Sequence, residues 1–354
     1  MSQLNVDAIR ASNGTGDAIS LTASSNTCTA NITNYPHRNA LINGGMQVAQ
    51  YASTNSAINT YGPLDRWRTM GGPMGFTITQ VTDATNYPNT NYALKAHRTA
   101  GNTQEYDLGV AQGIETPNSR GFAGRECTFS FRARVGANFS GPSSVLKVIV
   151  WHGTGNNENP LSMSGQGGTT IDKTVTTTAT KYSVTYTIPA GTTQITCGVY
   201  YQCRGTAGAN DWFEITDCQF ELGPVATDFE IRDYGYELTR CQRYYFKINP
   251  SAAQKPIVST AWGPFQNKAQ GTTFFPVEML KDPTALEQSG TAGDYQVSHG
   301  SSGGDCNAVP VFNQASKFAA TTTFERSGTP WSQGDAIQPS PKNSSGFLAW
   351  SAEL

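Results

Sequence analysis

The sequence predicts an all-β protein built as an N-terminal attachment arm, a jelly-roll β-sandwich, a short helical connector and a small C-terminal β-sandwich. Three observations predict it. Charged residues make up 14% of the chain, against about 25% in an average globular protein, and Thr, Ser, Asn and Gly are abundant, which suits strands and turns better than helices. Apolar and polar residues alternate in run after run, the two-residue period of a half-buried strand. Turn-forming clusters separate these runs, and one stretch alone has convincing helical spacing.

Residues 1–38 carry two short apolar patterns, Leu4, Val6 and Ile9, then Ala18, Ile19 and Leu21, on either side of Asn13-Gly-Thr-Gly-Asp17. So few apolar residues cannot make an independent core. The segment is either a disordered tail or an arm that orders only against a partner, and the second reading is the expectation. In residues 39–230 the alternation is clear. Cys127, Phe129, Phe131, Ala133 and Val135 share one face, opposite Thr128, Ser130, Arg132 and Arg134; Tyr182, Val184, Tyr186 and Ile188 repeat the pattern, as do Ile195, Cys197, Val199, Tyr201 and Cys203. Strands at this spacing without intervening helices predict a two-sheet sandwich, a jelly roll. Residues 231–247 form the connector, where Leu238, Cys241 and Tyr245 fall at i, i+3 and i+7. Residues 248–354 predict a second sandwich, with strand-like runs at 256–262, 273–279, 295–299, 318–324 and 347–352 and turns such as Gly300-Ser-Ser-Gly-Gly-Asp305.

Composition also excludes functions. A net charge of −2 with no basic stripe gives no footprint for nucleic acid, whose phosphates require clustered Lys and Arg. The longest apolar run, 145–151, is broken by Lys147 and is far too short to span a membrane, and the first twenty residues lack a signal peptide's apolar stretch. No membrane insertion and no Sec export are expected. Seven cysteines without C-x-x-C spacing read as reduced, buried thiols of a protein made in a reducing cytoplasm.

Chemistry-bearing residues are sparse. No G-x-S-x-G, H-E-x-x-H or P-loop occurs, and His37, His97, His152 and His299 lie too far apart to suggest a metal site. Asp211, Glu214 and Asp217 cluster, but strand parity places Glu214 on the face opposite the other two, so no glycosidase carboxylate pair forms. The expectation is a non-enzyme without cofactor or metal. Trp67 reads as a core anchor rather than a sugar platform. Glycan recognition needs an aromatic face beside planar hydrogen-bonding groups. The candidates for receptor or glycan binding are Trp262, Trp331, Gln333 and Asp335, with Trp151 and His152 ahead of the loop Gly153-Thr-Gly-Asn-Asn-Glu158. For each, an aromatic plug beneath a loop is the competing reading.

Three segments carry a family resemblance. Residues 213–223 (FEITDCQFELG) running into 227–246 (TDFEIRDYGYELTRCQRYYF) resemble the QLELG…ATPFE.R.YG.EL..CQRYY junction of bacteriophage tail-fibre and related virion proteins. Asn39-Ala-Leu-Ile-Asn-Gly-Gly-Met-Gln47 followed by Asp65-Arg-Trp67 is similar to the opening that precedes this junction, and Gly346-Phe-Leu-Ala-Trp-Ser-Ala-Glu-Leu354 to the strand on which many such fibres end. The resemblance implies a virion structural protein: a homotrimeric tail fibre that docks to other phage tail or capsid proteins through residues 1–38 and attaches to a host cell-surface glycan or protein through residues 248–354. A head fibre or capsid decoration protein is the alternative, and a polysaccharide depolymerase a more distant one. The order of features also resembles carbohydrate-binding jelly rolls, in which an opening NGxFE strand lies beside a closing DDVxLE strand around a structural calcium ion. Gly45, Gln47 and Asp217 occupy the corresponding positions, but Gln47 replaces an acid, and no metal is expected.

Overall fold

The computed structural model describes residues 37–354 except Ser251, Thr260 and Ser301, and N-terminal to them the backbone of three short strands. Those strands, Ala8–Arg10, Asp17–Thr22 and Thr27–Ala30, form an antiparallel meander in which Ile9 pairs with Ile19 and Ser20 with Thr29. Leu4, Val6, the turn residues 13–16 and all side chains of residues 1–36 lie outside the described residues.

Two facing antiparallel sheets follow. One has five strands in the order Gly167–Thr174, Val145–Gly153, Gln194–Gln202, Asp107–Ile114 and Arg68–Gly71. The other has six: Thr180–Thr187, Glu126–Val135, Trp212–Leu222, Tyr92–Arg98, Phe76–Thr82 and Thr54–Asn55. The alternation read from the sequence sets the inner faces. Phe129, Phe131, Val148, Val199 and Phe220 are fully buried between the sheets, while Tyr182 and Tyr186 close the edge half-buried. The opening segment lies beside the closing strand as expected, with Ala40 N donating to Phe220 O at 2.9 Å and Cys218 N to Gly44 O at 2.9 Å. Gly44 is required there, because an added Cβ would come within 2.1 Å of the Cys218 carbonyl oxygen.

The C-terminal unit stacks a seven-stranded sheet on a three-stranded one. The runs at 295–299, 318–324 and 347–352 reappear as Tyr295–His299, Ala319–Glu325 and Leu348–Ser351. Two others are displaced. The strands are Ala261–Phe265 and Lys268–Phe274, because Gln266 and Asn267 turn the chain into a hairpin and Pro276 stops the strand that 273–279 was expected to make.

The connector is more than a link. Its helix is Tyr234–Gln242, N-capped by Asp233, whose side chain accepts from Tyr236 N. Cys241 is buried and Leu238 packs beside it, but Tyr245 already opens the strand Tyr245–Ile248. The apolar face of the helix joins one core with Tyr244, Trp350 and Leu348, and with Ile42 and Val48 from the opening segment, far earlier in the chain. The helix is therefore a wedge between the sandwiches, and its sequence partners could not be seen from helical spacing alone.

A buried polar network completes this joint. Asn43, in the left-handed conformation at φ 56°, donates from Nδ2 to Val48 O (2.8 Å) and Asp65 O (3.0 Å), accepts from Val48 N on Oδ1 (2.9 Å), and donates from its backbone N to Glu237. Its carbonyl accepts from Trp67 Nε1 at 3.1 Å, so Trp67 is the core anchor expected. The Arg66 guanidinium pairs with Glu353, donates to Gly113 O at 2.8 Å and lies 3.5 Å from the Tyr244 ring centroid. Asp65 accepts from Gln50 N (2.7 Å) and Gln50 Nε2 (2.5 Å), and Gln50 Nε2 also donates to Tyr245 O. All three family-like segments thus contribute to one joint.

Removing one member of a buried ion pair leaves the other charge uncompensated. Glu353→Ala is expected to lower the unfolding free energy by about 3–5 kcal/mol; a loss below about 1 kcal/mol in denaturant melts would place the pair among weak surface bridges. Burial, opposed by the two Gln50 hydrogen bonds, raises the Asp65 pKa to about 7. A raised carboxyl pKa favours the protonated folded form, so this contribution to stability is complete below about pH 4 and is lost as pH rises through about 7. The urea midpoint should fall between pH 5 and pH 8, and Asp65→Asn should flatten that slope; an unchanged slope in the variant would assign it to other groups.

Candidate functional site

The outer face of the six-stranded sheet is polar and partly covered. Gln219 and Glu221 grip the returning chain: Gln219 Nε2 donates to Thr227 Oγ1 (3.1 Å) and Asp228 O (3.2 Å), Gln219 Oε1 accepts from Glu230 N (2.8 Å), and Glu221 accepts from Thr227 N (2.9 Å) and Oγ1 (2.6 Å). This explains why the polar positions of the closing strand are followed by a Thr-Asp-Phe-Glu return.

On the same face strand parity fails. A bulge between Thr216 and Gln219, with Asp217 at φ 52°, inserts one residue and reverses the alternation. Glu214 and Asp217 therefore share the outer face: Glu214 accepts from Arg134 Nε (2.7 Å) and Tyr87 Oη (2.6 Å), and Asp217 from Asn89 Nδ2 (2.8 Å), with Arg132 Nε at 3.5 Å. Each carboxylate has its own arginine. Burial raises the Asp217 pKa, against the Asn89 hydrogen bond and Arg132. Asp211 is set apart at the strand end, paired with Arg98 inside the core.

The positions corresponding to a calcium site do not converge. Gly45 and Gln47 line a cavity that also holds Arg232, whereas Asp217 lines a different one with Arg132 and Lys181. A guanidinium in each disfavours a cation. Among the described residues no group of three His, Cys, Asp or Glu side chains is placed to hold a metal.

The residues proposed for receptor contact separate. Trp331 is 4% exposed; its ring covers Gly263, where an added Cβ would come within 2.9 Å of it, and its Nε1 donates to Phe265 O at 2.8 Å. It is a core plug, which corrects its assignment as a sugar platform. Asp335 closes the following turn by accepting from Ser332 N (2.8 Å) and pairs with His299 (3.2 Å). Gln333 sits at the mouth of a cleft of about 520 Å³ with Phe265, Gln266 and Asn267. Trp151 and His152 are on the strand Val145–Gly153 rather than on the loop after it. Trp151 packs half-buried against Ile149, and His152 stacks on Tyr186 at 6.2 Å, its pKa lowered by desolvation.

Trp262 is different. It is 52% exposed on the outer face of the seven-stranded sheet, paired with Gln270 and Ala336. Directly opposed residues project to one side, so the pairings Trp262 with Gln270, Phe265 with Lys268, Gln270 with Thr323 and Thr323 with Val311 define one surface across four strands. A groove of about 260 Å³ there is lined by Phe265, Lys268, Gln270, Val311, Asn313 and Glu325 among others. Phe265 is 62% exposed. Lys268 and Glu325 pair at 3.7 Å along the rim, and Asn313 Oδ1 accepts from Thr323 Oγ1 at 2.8 Å. Among the described residues neither the Gln270 amide nor the Asn313 NH2 group has a hydrogen-bond partner. Two exposed rings thus flank the unpaired Gln270 amide and the unpaired NH2 of Asn313, an arrangement that can stack a sugar ring and hydrogen-bond its hydroxyls. Sequence reading missed Phe265 because it ended the first strand at residue 262, Gln270 because it began the second at 273, and Asn313 because it placed no strand between 299 and 318. The polar alternation Lys268, Gln270, Thr272 was the available signal.

The two tryptophans should behave oppositely. Trp331→Ala is expected to destabilise by about 3–5 kcal/mol and Trp262→Ala by no more than about 0.5 kcal/mol. Equal losses in parallel denaturant melts would contradict their placement.

No family model and no curated protein matches this chain. Among solved structures it is similar to the enzymatically active domain of tailspike protein 4 of bacteriophage CBA120, at 13% identity and TM-score 0.35, over 53% of this chain and 22% of that one. It is also similar to the module TmCBM61 solved with β-1,4-galactotriose, at 17% identity and TM-score 0.33, over 52% of this chain and 99% of the module. A third is the CBM22-2 xylan-binding domain from Paenibacillus barcinonensis Xyn10C, at 17% identity and TM-score 0.29, over 45% of this chain and 92% of that domain. The likeness is one of β-sandwich architecture.

Proposed function

We propose that this chain is a phage tail-fibre protein, a structural component of the virion that attaches the particle to a glycan on the host cell surface. The observation that carries the binding role is the outer face of the seven-stranded sheet, where exposed Trp262 and Phe265 flank the unpaired Gln270 amide and the unpaired NH2 of Asn313. The virion role is supported by the three family-like segments, whose residues meet in the joint between the sandwiches. The protein acts by binding rather than by cleavage. Glu214 and Asp217 share a face, but each is already engaged by its own arginine and a further donor, Tyr87 Oη or Asn89 Nδ2, which leaves neither free to act on a bound sugar.

The groove is shallow and its rim charges are already paired, so a single site is weak. Assembly as a homotrimer, with residues 1–38 docking to other phage proteins, would present three grooves on one fibre. A per-site Kd of about 1 mM can then hold a particle through avidity.

Virions carrying Trp262→Ala or Gln270→Ala are expected to assemble with normal copy number and to adsorb to host cells at least about tenfold more slowly, one ring-stacking or hydrogen-bonding contact per chain being lost. Adsorption at the parental rate by both variants would overturn this assignment.

A further inference from the structure

Beside the joint, the helix Tyr234–Gln242 and the opening segment border a cavity unlike the sheet groove. It measures about 260 Å³ and is lined by His37, Arg38, Asn118, Phe122, Arg232, Tyr236 and Arg240 among others, with no carboxylate in its wall. The carboxylates that balance these cations stand behind them. Arg232 is spent on the backbone, donating to Leu41 O (2.8 Å) and Asn39 O, with Glu230 and Glu237 each at 3.3 Å. Glu237 is in turn occupied by Asn43 N.

Arg240 is left over. Its nearest acid is Glu237 at 4.0 Å, an oxygen that Arg232 already holds, and its guanidinium lies 5.9 Å from the Tyr236 ring centroid. Among the described residues its guanidinium donates no hydrogen bond, although its side chain is only 21% exposed. Desolvation and then the neighbouring Arg232 charge lower its pKa, only partly opposed by Glu237. A planar guanidinium with free donors, recessed beside a second arginine, matches a carboxylate or phosphate. Tyr236, 43% exposed, places its hydroxyl 3.3 Å from His37 Nδ1 at the rim, and Phe122 offers an apolar wall supported by Phe220 at 4.9 Å. The cavity has room for one pyranose ring carrying an acidic group.

We propose that this cavity binds the anionic group of an acidic saccharide, with Arg240 as its main ligand and Tyr236 and Phe122 contacting the ring. In taking the ligand to be part of a surface glycan, the proposal rests on the reading above; the anion chemistry is independent of Trp262.

Binding of glucuronate, glucose 6-phosphate and glucose to the full chain, followed by NMR at low salt, tests it. At least one of the two acids should bind and glucose should not, and whichever acid binds identifies a carboxylate or a phosphate as the recognised group. Arg240→Gln should weaken that binding at least about tenfold, the loss of a charge-assisted pair. Arg240→Lys should restore part of it, and Trp262→Ala should leave it intact. Equal affinity for acids and glucose, or unchanged acid binding in a folded Arg240→Gln protein, would overturn the site. If Arg240 fails this test while Trp262→Ala virions adsorb slowly, the joint cavity alone is wrong; if acids bind through Arg240 while Trp262→Ala virions adsorb normally, the sheet groove is wrong and this site stands.

Discussion

A guanidinium cannot be buried cheaply, and the structure is organised around one. Arg66 is almost wholly buried, and its partners come from three distant parts of the chain: Glu353 at the end of the C-terminal unit, the Gly113 carbonyl of the jelly roll and the Tyr244 ring just after the helix. In a medium of low polarity an arginine loses several kcal/mol of hydration unless each interaction has good geometry. Sliding one sandwich against the other would break these contacts together. Asn43 adds a second lock, since its side-chain amide and both backbone polar groups hold Val48, Asp65, Glu237 and Trp67 at once. A polar network of this kind is costly when half satisfied and rigid when complete.

Much of the fold was legible because alternation is a direct image of the strand. The faces of Glu126–Val135 and Gln194–Gln202 follow the sequence period residue by residue. What could not be read was anything set by a partner element. The bulge at Asp217 has no strong local signal, and it moved a carboxylate to the other side of its sheet. The helix was found by its spacing, yet its partners Ile42 and Val48 come from the opening segment. Trp262 and Trp331 looked equivalent as turn-flanking aromatics. Their difference depends on Gly263, which leaves room for one ring on the inner face while the pairing with Gln270 sends the other outward.

The joint gives the binding surfaces their meaning. A groove on a sheet and a cavity beside a helix have fixed separation only if the units bearing them are one body. On the proposed function, low overall charge leaves recognition to ring stacking and a few unpaired donors, which favours weak contacts multiplied over many copies. Preorganisation then matters, because each ordered side chain saves the entropy of fixing it on contact.

Scanning calorimetry of the full chain tests the central claim most directly. If the buried network makes the two sandwiches one cooperative body, they unfold in a single transition whose calorimetric and van't Hoff enthalpies agree. Two separated transitions, one for each sandwich, would contradict the account.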